Sequence, residues 1–187
     1  KTHETLISRA KTEEQIWHEK EMAYWESVFE RLLEDRSQKN PGWNRTLPRQ
    51  KLLSMLPPRI NQGVFLEIGC GATHTLQETY GRDVPNYIGL DLSFHACLLA
   101  KQTFPHGLFV QASAEHPPFA QDSLDGIVAY GVLHHLPGHE ENIPRLMAIL
   151  KPGGFFIGAD PLLKPRIPRP NLRTFFLGGR SRSGEDS

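Results

Sequence analysis

The sequence predicts a single α/β domain built around one mainly parallel sheet. Three observations support this prediction. Short apolar runs alternate with stretches compatible with helices. The length of 187 residues suits one domain, and a loop containing two glycines follows the first apolar run. We therefore expect a sheet whose strands are joined by crossover helices.

Two helices are predicted before the first strand. In residues 12–36, apolar side chains recur at spacings of three and four, as in an amphipathic helix. Residues 40–42 (Asn-Pro-Gly) end this helix, and residues 49–55 predict a second, shorter helix that stops at two prolines. Residues 1–60 are therefore assigned to an N-terminal helical lid or extension.

Five strands are predicted in the 61–160 core, at residues 64–68, 87–92, 107–112, 126–130 and 154–159. A short apolar run that ends at glycine is typical of a strand buried on both faces of a parallel sheet. Helices are predicted at residues 75–80, 94–104 and 141–150, the last ended by the Lys-Pro-Gly-Gly segment 151–154.

Residues 161–187 form a basic, proline-rich tail with a polar end. Its composition predicts a poorly ordered or loosely docked segment, in which residues 172–177 form one short strand at most. Its arginines are explained most simply as a solvated segment, so nucleic-acid binding is not expected.

Composition excludes several classes of protein. Lysine plus arginine equals aspartate plus glutamate at 21 each, which gives no global attraction to nucleic acid or an anionic membrane. Cys70 and Cys97 are too few for a disulfide framework and lack metal-ligand spacing, so we expect a reducing, cytoplasmic setting and no metal. Residues 1–20 are rich in charge, unlike a signal peptide or membrane span.

The loop after the first strand predicts a cofactor site. In open α/β sheets, ligands bind at the carboxyl ends of strands, and Gly69 and Gly71 would let a ligand approach the backbone. Alone, these glycines fit a tight turn equally well. Asp91 ends the second strand, where a carboxylate can accept two hydrogen bonds from a ribose diol. His74 occupies the third glycine position of a dinucleotide fingerprint, which disfavours a nicotinamide-dependent oxidoreductase.

Four motifs resemble one family when taken together. EIGCGA, GLDLS, QASAEHPPFAQDSLDGIVAYGVLHHL and LKPGGFFI follow one another between residues 64 and 160. In this order they resemble class I S-adenosylmethionine-dependent methyltransferases, particularly those that modify small molecules. The resemblance implies a Rossmann-like three-layer α/β/α fold with strand order 3-2-1-4-5. It also implies S-adenosyl-L-methionine as cofactor, S-adenosyl-L-homocysteine as product and a small-molecule acceptor.

The resemblance also assigns cofactor-binding residues: Glu67, Gly69, Cys70, Gly71, Asp91, Leu92, Ser113, Ala114, Glu115, Ala129 and Tyr130. Among these, Asp91 would bind the ribose and Leu92 would pack on the adenine. Ser113 stands where the family commonly has aspartate at the adenine amino group, and a serine hydroxyl can still accept that hydrogen bond.

Few side chains need take part in the chemistry, because methyl transfer is an in-line displacement that gains most from positioning and the exclusion of water. A hydroxyl or protonated nitrogen acceptor would need a general base, for which His135 and His134 are the candidates. Paired histidines recur across the resembling family, so a role in the pocket wall stays open. Trp17, Tyr24 and Trp25 would either close over the acceptor or pack on the sheet.

One departure from the family concerns the carboxyl terminus. The family normally adds a helix and a β hairpin with an antiparallel last strand after the fifth strand, and residues 161–187 are not expected to supply them. One sheet edge would then be open unless a partner chain, a second copy, a further segment or the tail covers it. This departure motivates an alternative function, a non-catalytic or partner-dependent methyltransferase-like binding module.

Overall fold

The computed structural model describes residues 12–35, 54–56, 62–72, 86–161 and 172–177. The predicted helix at residues 75–80 lies outside these residues. The predicted helix at residues 49–55 also lies outside them, apart from residues 54 and 55. The described strands are β1 (Phe65–Ile68), β2 (Tyr87–Asp91), β3 (Leu108–Gln111), β4 (Leu124–Tyr130), β5 (Leu150–Pro161) and β6 (Leu172–Leu177). The helices are α1 (Glu13–Glu34), α2 (Phe94–Thr103) and α3 (His139–Ala148), and a 3₁₀ turn spans Leu133–His135.

The strands form one sheet in the order β3-β2-β1-β4-β5-β6. The first five are parallel, which confirms the predicted fold class and the order 3-2-1-4-5. Reversal of the strand order beside β1 opens a crevice at the carboxyl ends of the strands, the usual ligand position in such sheets.

The edge of β5 is covered by the tail, one of the possibilities that the sequence left open. Strand β6 pairs antiparallel with β5 from Phe156↔Leu177 to Pro161↔Leu172. Within the described residues, this strand of the tail covers the edge and satisfies backbone groups that would otherwise invite pairing with another chain. Residues 162–171 and 178–187 lie outside the described part of the chain.

Strand β5 begins earlier than predicted. Its register on β4 moves from Leu124↔Leu150 to Gly126↔Phe155, so the extra residues form a bulge. The segment expected only to end the preceding helix is thus part of the strand, and Gly153 within it has a φ of +82°. A glycine tolerates this left-handed backbone without the steric cost that a side chain would add.

The core lies on both faces of the sheet. Paired residues Ile127 and Phe156 belong to one buried cluster, whereas the next pair, Val128 and Ile157, belongs to another. Because successive side chains point to opposite faces, strands buried on both sides read as continuous apolar runs. This packing is the physical basis of the strand predictions.

Helix α1 begins with a capping box and packs on α2. The Gln15 amide donates to Thr12 Oγ1 at 3.2 Å, and the Thr12 amide donates to Gln15 Oε1 at 3.0 Å. Farther along α1, buried Val28, Phe29 and Leu32 share a cluster with two residues of α2, Ala96 and Leu99. The predicted amphipathic helix is confirmed with this buried stripe. No helix in the described ranges is long and apolar enough to cross a membrane.

Candidate functional site

A cavity lies between α1 and the carboxyl ends of the strands. It encloses about 660 Å³ when the open solvent at its mouth is included. One side, here called the helix wall, consists of Trp17, His18, Glu21, Trp25 and Phe29. The opposite side, here called the sheet wall, consists of Ile68, Gly69, Gly71, Leu90, Asp91, Leu92, Ala112, Ser113, Ala114, Glu115, Gly131, Val132, His135 and Leu136.

The glycine loop of the sheet wall is fixed by Asp91. The Gly71 amide donates to Asp91 Oδ2 at 2.8 Å, and the Ser93 amide donates to Oδ1 at 2.9 Å. Gly69 and Gly71 have φ values of +63° and +54°, a left-handed backbone that favours glycine. The loop and the end of β2 are thus in direct contact, although Gly71 and Asp91 are 20 residues apart in sequence.

Burial raises the pKa of Asp91 to about 6, although the backbone amides of Ser93 and Gly71 oppose the shift by hydrogen bonding to the carboxylate. Most of this carboxyl is therefore ionised at pH 7. It places a hydrogen-bond acceptor with negative charge on the sheet wall, where a ribose diol or a cation would be stabilised.

Ser113 and Glu115 form a corner that joins the two walls. Ser113 Oγ donates to Glu115 Oε2 at 3.1 Å and accepts from the Glu115 amide at 3.2 Å. The same Oε2 lies 3.1 Å from Nδ1 of His18, on the helix wall. Glu115 is nearly buried, so these partners compensate a carboxylate that has lost most of its water.

Four residues predicted to bind the cofactor lie behind the cavity surface and do not line it: Glu67, Cys70, Ala129 and Tyr130. Buried Glu67 accepts a hydrogen bond from the Tyr87 hydroxyl at 2.9 Å. Cys70 is buried, which raises the pKa of its thiol well above the ordinary value. A cofactor-binding role for these four residues stays a prediction.

The two candidate bases have different surroundings. His134 is not part of the cavity lining, and its Nδ1 lies 2.7 Å from Asp160 Oδ1. Asp160 also accepts from the amides of Leu133 and His134, at 3.3 and 3.4 Å, and thereby fixes the 3₁₀ turn after β4. Asp160, at the end of β5, thus holds both the backbone and the His134 side chain of the turn that follows β4.

His135 lines the cavity and contacts the helix wall. Its Nδ1 lies 3.2 Å from Glu21 Oε2, and its ring packs against the edge of Trp25 with centroids 5.3 Å apart. Burial and the neighbouring His134 lower the pKa of His135, whereas Glu21 and Asp160 oppose this shift. His135 is therefore shifted toward its neutral form, which a general base requires.

Sequence reasoning missed most of the helix wall. It considered Trp17 and Trp25 but not His18, Glu21 or Phe29, and Tyr24 proves to be exposed. The available signal was the helical spacing of three and four residues, which places His18, Glu21 and Trp25 on one side of α1. Polar side chains beside tryptophans on the packed side of a helix indicate a site.

The family follows from comparison with known proteins. A model described as "Methyltransferase domain" matches residues 66–158, which include β1 through most of β5. The chain belongs to the class I S-adenosylmethionine-dependent methyltransferase family. This confirms the resemblance inferred from the four motifs.

Individual relatives support the same assignment. Trans-aconitate 2-methyltransferase of Paracidovorax citrulli is 31% identical over 132 residues, which are 70% of this chain and 47% of that protein. The chain thus spans about half the length of this relative. Phosphoethanolamine N-methyltransferase 1 of Haemonchus contortus matches with a TM-score of 0.64 at 14% identity, over 84% of this chain and 35% of that one. Geranyl diphosphate C-methyltransferase of Streptomyces coelicolor A3(2) matches with a TM-score of 0.62 at 14% identity, over 83% of this chain and 68% of that one.

Membership in the family gives S-adenosylmethionine as the cofactor, as predicted. The sheet wall fits this molecule. Asp91 offers carboxylate oxygens for a ribose, and the loop containing Gly69 and Gly71 exposes backbone to the cavity. Leu90, Leu92 and Ala112 provide apolar surface for a purine ring. In the described ranges, no cluster of three or more histidine, cysteine or acidic residues could hold a metal ion.

Proposed function

We propose that this protein transfers the methyl group of S-adenosylmethionine to a small-molecule acceptor in the cavity between α1 and the sheet. The main support is the cavity itself, which joins the Asp91-fixed glycine loop to an aromatic helix wall. The cofactor supplies an electrophilic methyl group on a sulfonium and leaves as the neutral thioether S-adenosylhomocysteine. The surrounding side chains bind, orient and exclude water.

In this proposal the sheet wall binds the donor. Asp91 accepts hydrogen bonds from the ribose, Leu92 packs on the adenine, and Ser113, Ala114 and Glu115 border the adenine edge. The loop from Gly69 to Gly71 approaches the methionine part. All of these residues line the cavity, apart from Cys70 within the loop.

The helix wall faces the acceptor, and His135 acts as general base when the acceptor is a hydroxyl or a protonated nitrogen. His135 is favoured over His134 because His135 lines the cavity, whereas the His134 ring pairs with Asp160 outside the lining. The relative and structural neighbours named above act on trans-aconitate, phosphoethanolamine and geranyl diphosphate, which suggests starting compounds for an acceptor screen.

Two measurements test this function. Calorimetry on the folded protein should show binding of S-adenosylhomocysteine, and its absence would reject the donor site. A screen against carboxylic acids, phosphorylated amino alcohols and prenyl diphosphates should show acceptor-dependent formation of S-adenosylhomocysteine. Donor binding without turnover on any acceptor would favour the alternative, a non-catalytic or partner-dependent module.

That alternative was motivated by the expected lack of the family's C-terminal helix and hairpin, which would leave the β5 edge open. Pairing of β6 with β5 covers the edge without a second chain, so this motivation is weaker than the sequence suggested. A small-molecule enzyme in the cytoplasm is the simpler proposal. Light scattering of the protein with and without cofactor would show whether a second copy also takes part.

A further inference from the structure

Among the residues that the structure describes, three pairs of histidine and glutamate join α1 to the rest of the protein. They are His18 with Glu115 at 3.1 Å, Glu21 with His135 at 3.2 Å, and Glu26 with His95 at 2.7 Å. The first two pairs lie in the cavity wall, whereas neither member of the third lines the cavity. The third pair can therefore only attach α1 to the core, whereas the first two can also take part in the site.

Glu21 has a second contact that fixes its orientation. Trp25 Nε1, one helical turn farther along α1, donates to Glu21 Oε2 at 3.0 Å. The same oxygen faces His135 Nδ1, and the Trp25 ring packs edge-on against the His135 ring. The carboxylate and the imidazole are thus both held by one tryptophan.

This arrangement determines which nitrogen of His135 carries the proton. An ionised carboxylate only accepts hydrogen bonds, so an Nδ1 atom 3.2 Å away is favoured as the N–H donor. In the neutral ring, Nε2 then has the lone pair and is the nitrogen able to take a proton. A carboxylate that orients a histidine in this way also stabilises the imidazolium that forms.

We propose that Glu21 is a positioning residue that makes His135 a general base, and that the base is complete only while α1 lies over the cavity. This inference rests on the proposed function. As the acceptor attacks the methyl carbon, its O–H or N–H proton passes to His135 Nε2, and the electron pair of the C–S bond stays with sulfur. The protonated His135 is then stabilised by Glu21. An acceptor would be deprotonated only under a closed helix wall, which also excludes water.

The matched pair of variants is Glu21→Gln and Glu26→Gln. Both change a glutamate of α1 to its amide and both remove a histidine contact to the core, but only Glu21 faces His135 and the cavity. Turnover is measured against pH at saturating S-adenosylmethionine, with an acceptor from the screen. The charged and titratable groups facing the His135 ring are Glu21 on α1, His134 in the same turn and Asp160 on β5.

Glu21→Gln should lower the plateau rate by about 10- to 100-fold, the scale expected for a misplaced general base. Its rising limb should also move to lower pH, because removal of the negative charge lowers the pKa of His135. Glu26→Gln should retain the wild-type limb. If both variants have the same pH profile, α1 merely needs attachment and the proposal is overturned.

An NMR measurement decides the matter without an acceptor. In the complex of wild-type protein with S-adenosylhomocysteine, the ¹⁵N shifts of His135 should show protonated Nδ1 and unprotonated Nε2, with His135→Gln providing the assignment. Protonated Nε2 in the neutral ring would overturn the proposal, even if Glu21→Gln failed to fold. If the wild-type protein shows no turnover on any acceptor, only the proposed function is rejected. The tautomer of His135 would still test whether Glu21 orients its ring.

Discussion

The two walls of the cavity are held in different ways. On the sheet wall, main-chain amides of Gly71 and Ser93 donate to the buried carboxylate of Asp91. On the helix wall, the polar links to the core are contacts between side chains, and His18 and His135 each retain about a third of their exposure. Main-chain contacts to a buried group resist displacement, whereas ion pairs with a partly exposed member contribute less and are screened by salt. The comparison indicates a fixed sheet wall and an adjustable helix wall.

The largest expected effect is that of Gly69→Ala on the sheet wall. The new Cβ would lie 2.5 Å from Val132 Cγ2, and φ at this position is +63°. Left-handed strain and overpacking together should cost about 2–4 kcal/mol of unfolding free energy. We expect affinity for S-adenosylhomocysteine, measured by calorimetry, to fall by roughly 100-fold, which corresponds to about 2.7 kcal/mol.

The control for this substitution is Gly138→Ala. Gly138 has a similar φ of +58°, but nothing lies within 4 Å of its added Cβ, and it does not line the cavity. It should show only the cost of strain, about 1–2 kcal/mol, with unchanged cofactor affinity. Equal losses of affinity in both variants would mean that Gly69 acts through general stability.

Asp91 gives a smaller effect that depends on pH. Because its pKa is about 6 in the folded protein and 3.8 in the reference state, the folded state holds more proton between pH 4 and 6. Stability from this group is therefore greatest below that window and decreases as pH rises through it. Cofactor affinity should have the opposite trend, since ribose binding uses the ionised carboxylate. Below pH 6, the affinity for S-adenosylhomocysteine should decrease by up to about tenfold for each unit by which the pH is lowered.

Asp91→Asn tests the origin of this pH dependence. The Gly71 and Ser93 amides donate to different oxygens of Asp91, and asparagine would place an NH₂ group, which cannot accept, against one of them. At pH 8 the variant should bind S-adenosylhomocysteine roughly 10- to 100-fold more weakly, the scale of a lost hydrogen bond to a charged group. Its affinity should also be nearly flat between pH 5.5 and 8. A slope like that of the wild type would assign the titration to another group.

The smallest expected effect lies on the helix wall. His18→Gln removes the pair with Glu115, and partly exposed ion pairs contribute about 0–1 kcal/mol. Calorimetry should therefore show a loss of S-adenosylhomocysteine affinity of about fivefold at most, and less in high salt. Exposed His106 lies outside the cavity lining, and His106→Gln should leave the affinity unchanged. A loss as large as that of Gly69→Ala would remove the distinction between the two walls.

The sequence predicted the sheet better than the surroundings of the sheet. Strands β1 to β4 lie within two residues of their predicted bounds, because strands buried on both faces leave continuous apolar runs. The start of β5 was missed, since the bulge between Leu150 and Phe155 depends on register with β4. Strand β6 was allowed only as one short strand, and its pairing with β5 depends on contacts that local composition does not encode.

The candidate site likewise contains residues that the sequence predicted and residues that only the structure identifies. Gly69, Gly71 and Asp91 were selected from motif and spacing, and the structure brings them together in one hydrogen-bonded loop. Glu21 carried only the weaker signal of its helical spacing from His18 and Trp25, since glutamates are common on helix surfaces. Its proximity to His135 arises from the packing of α1 over the cavity, between residues more than 100 positions apart.

The sequence by itself determined the family, the positions of most parallel strands and the glycine loop with its carboxylate. These depend on local constraints, namely glycine at left-handed positions, apolar runs in buried strands and a carboxylate at a strand end. Only the tertiary structure decided that the tail covers β5 and that α1 supplies a carboxylate to His135. Both arise from packing between distant segments, where many side-chain patterns are compatible with the same local structure.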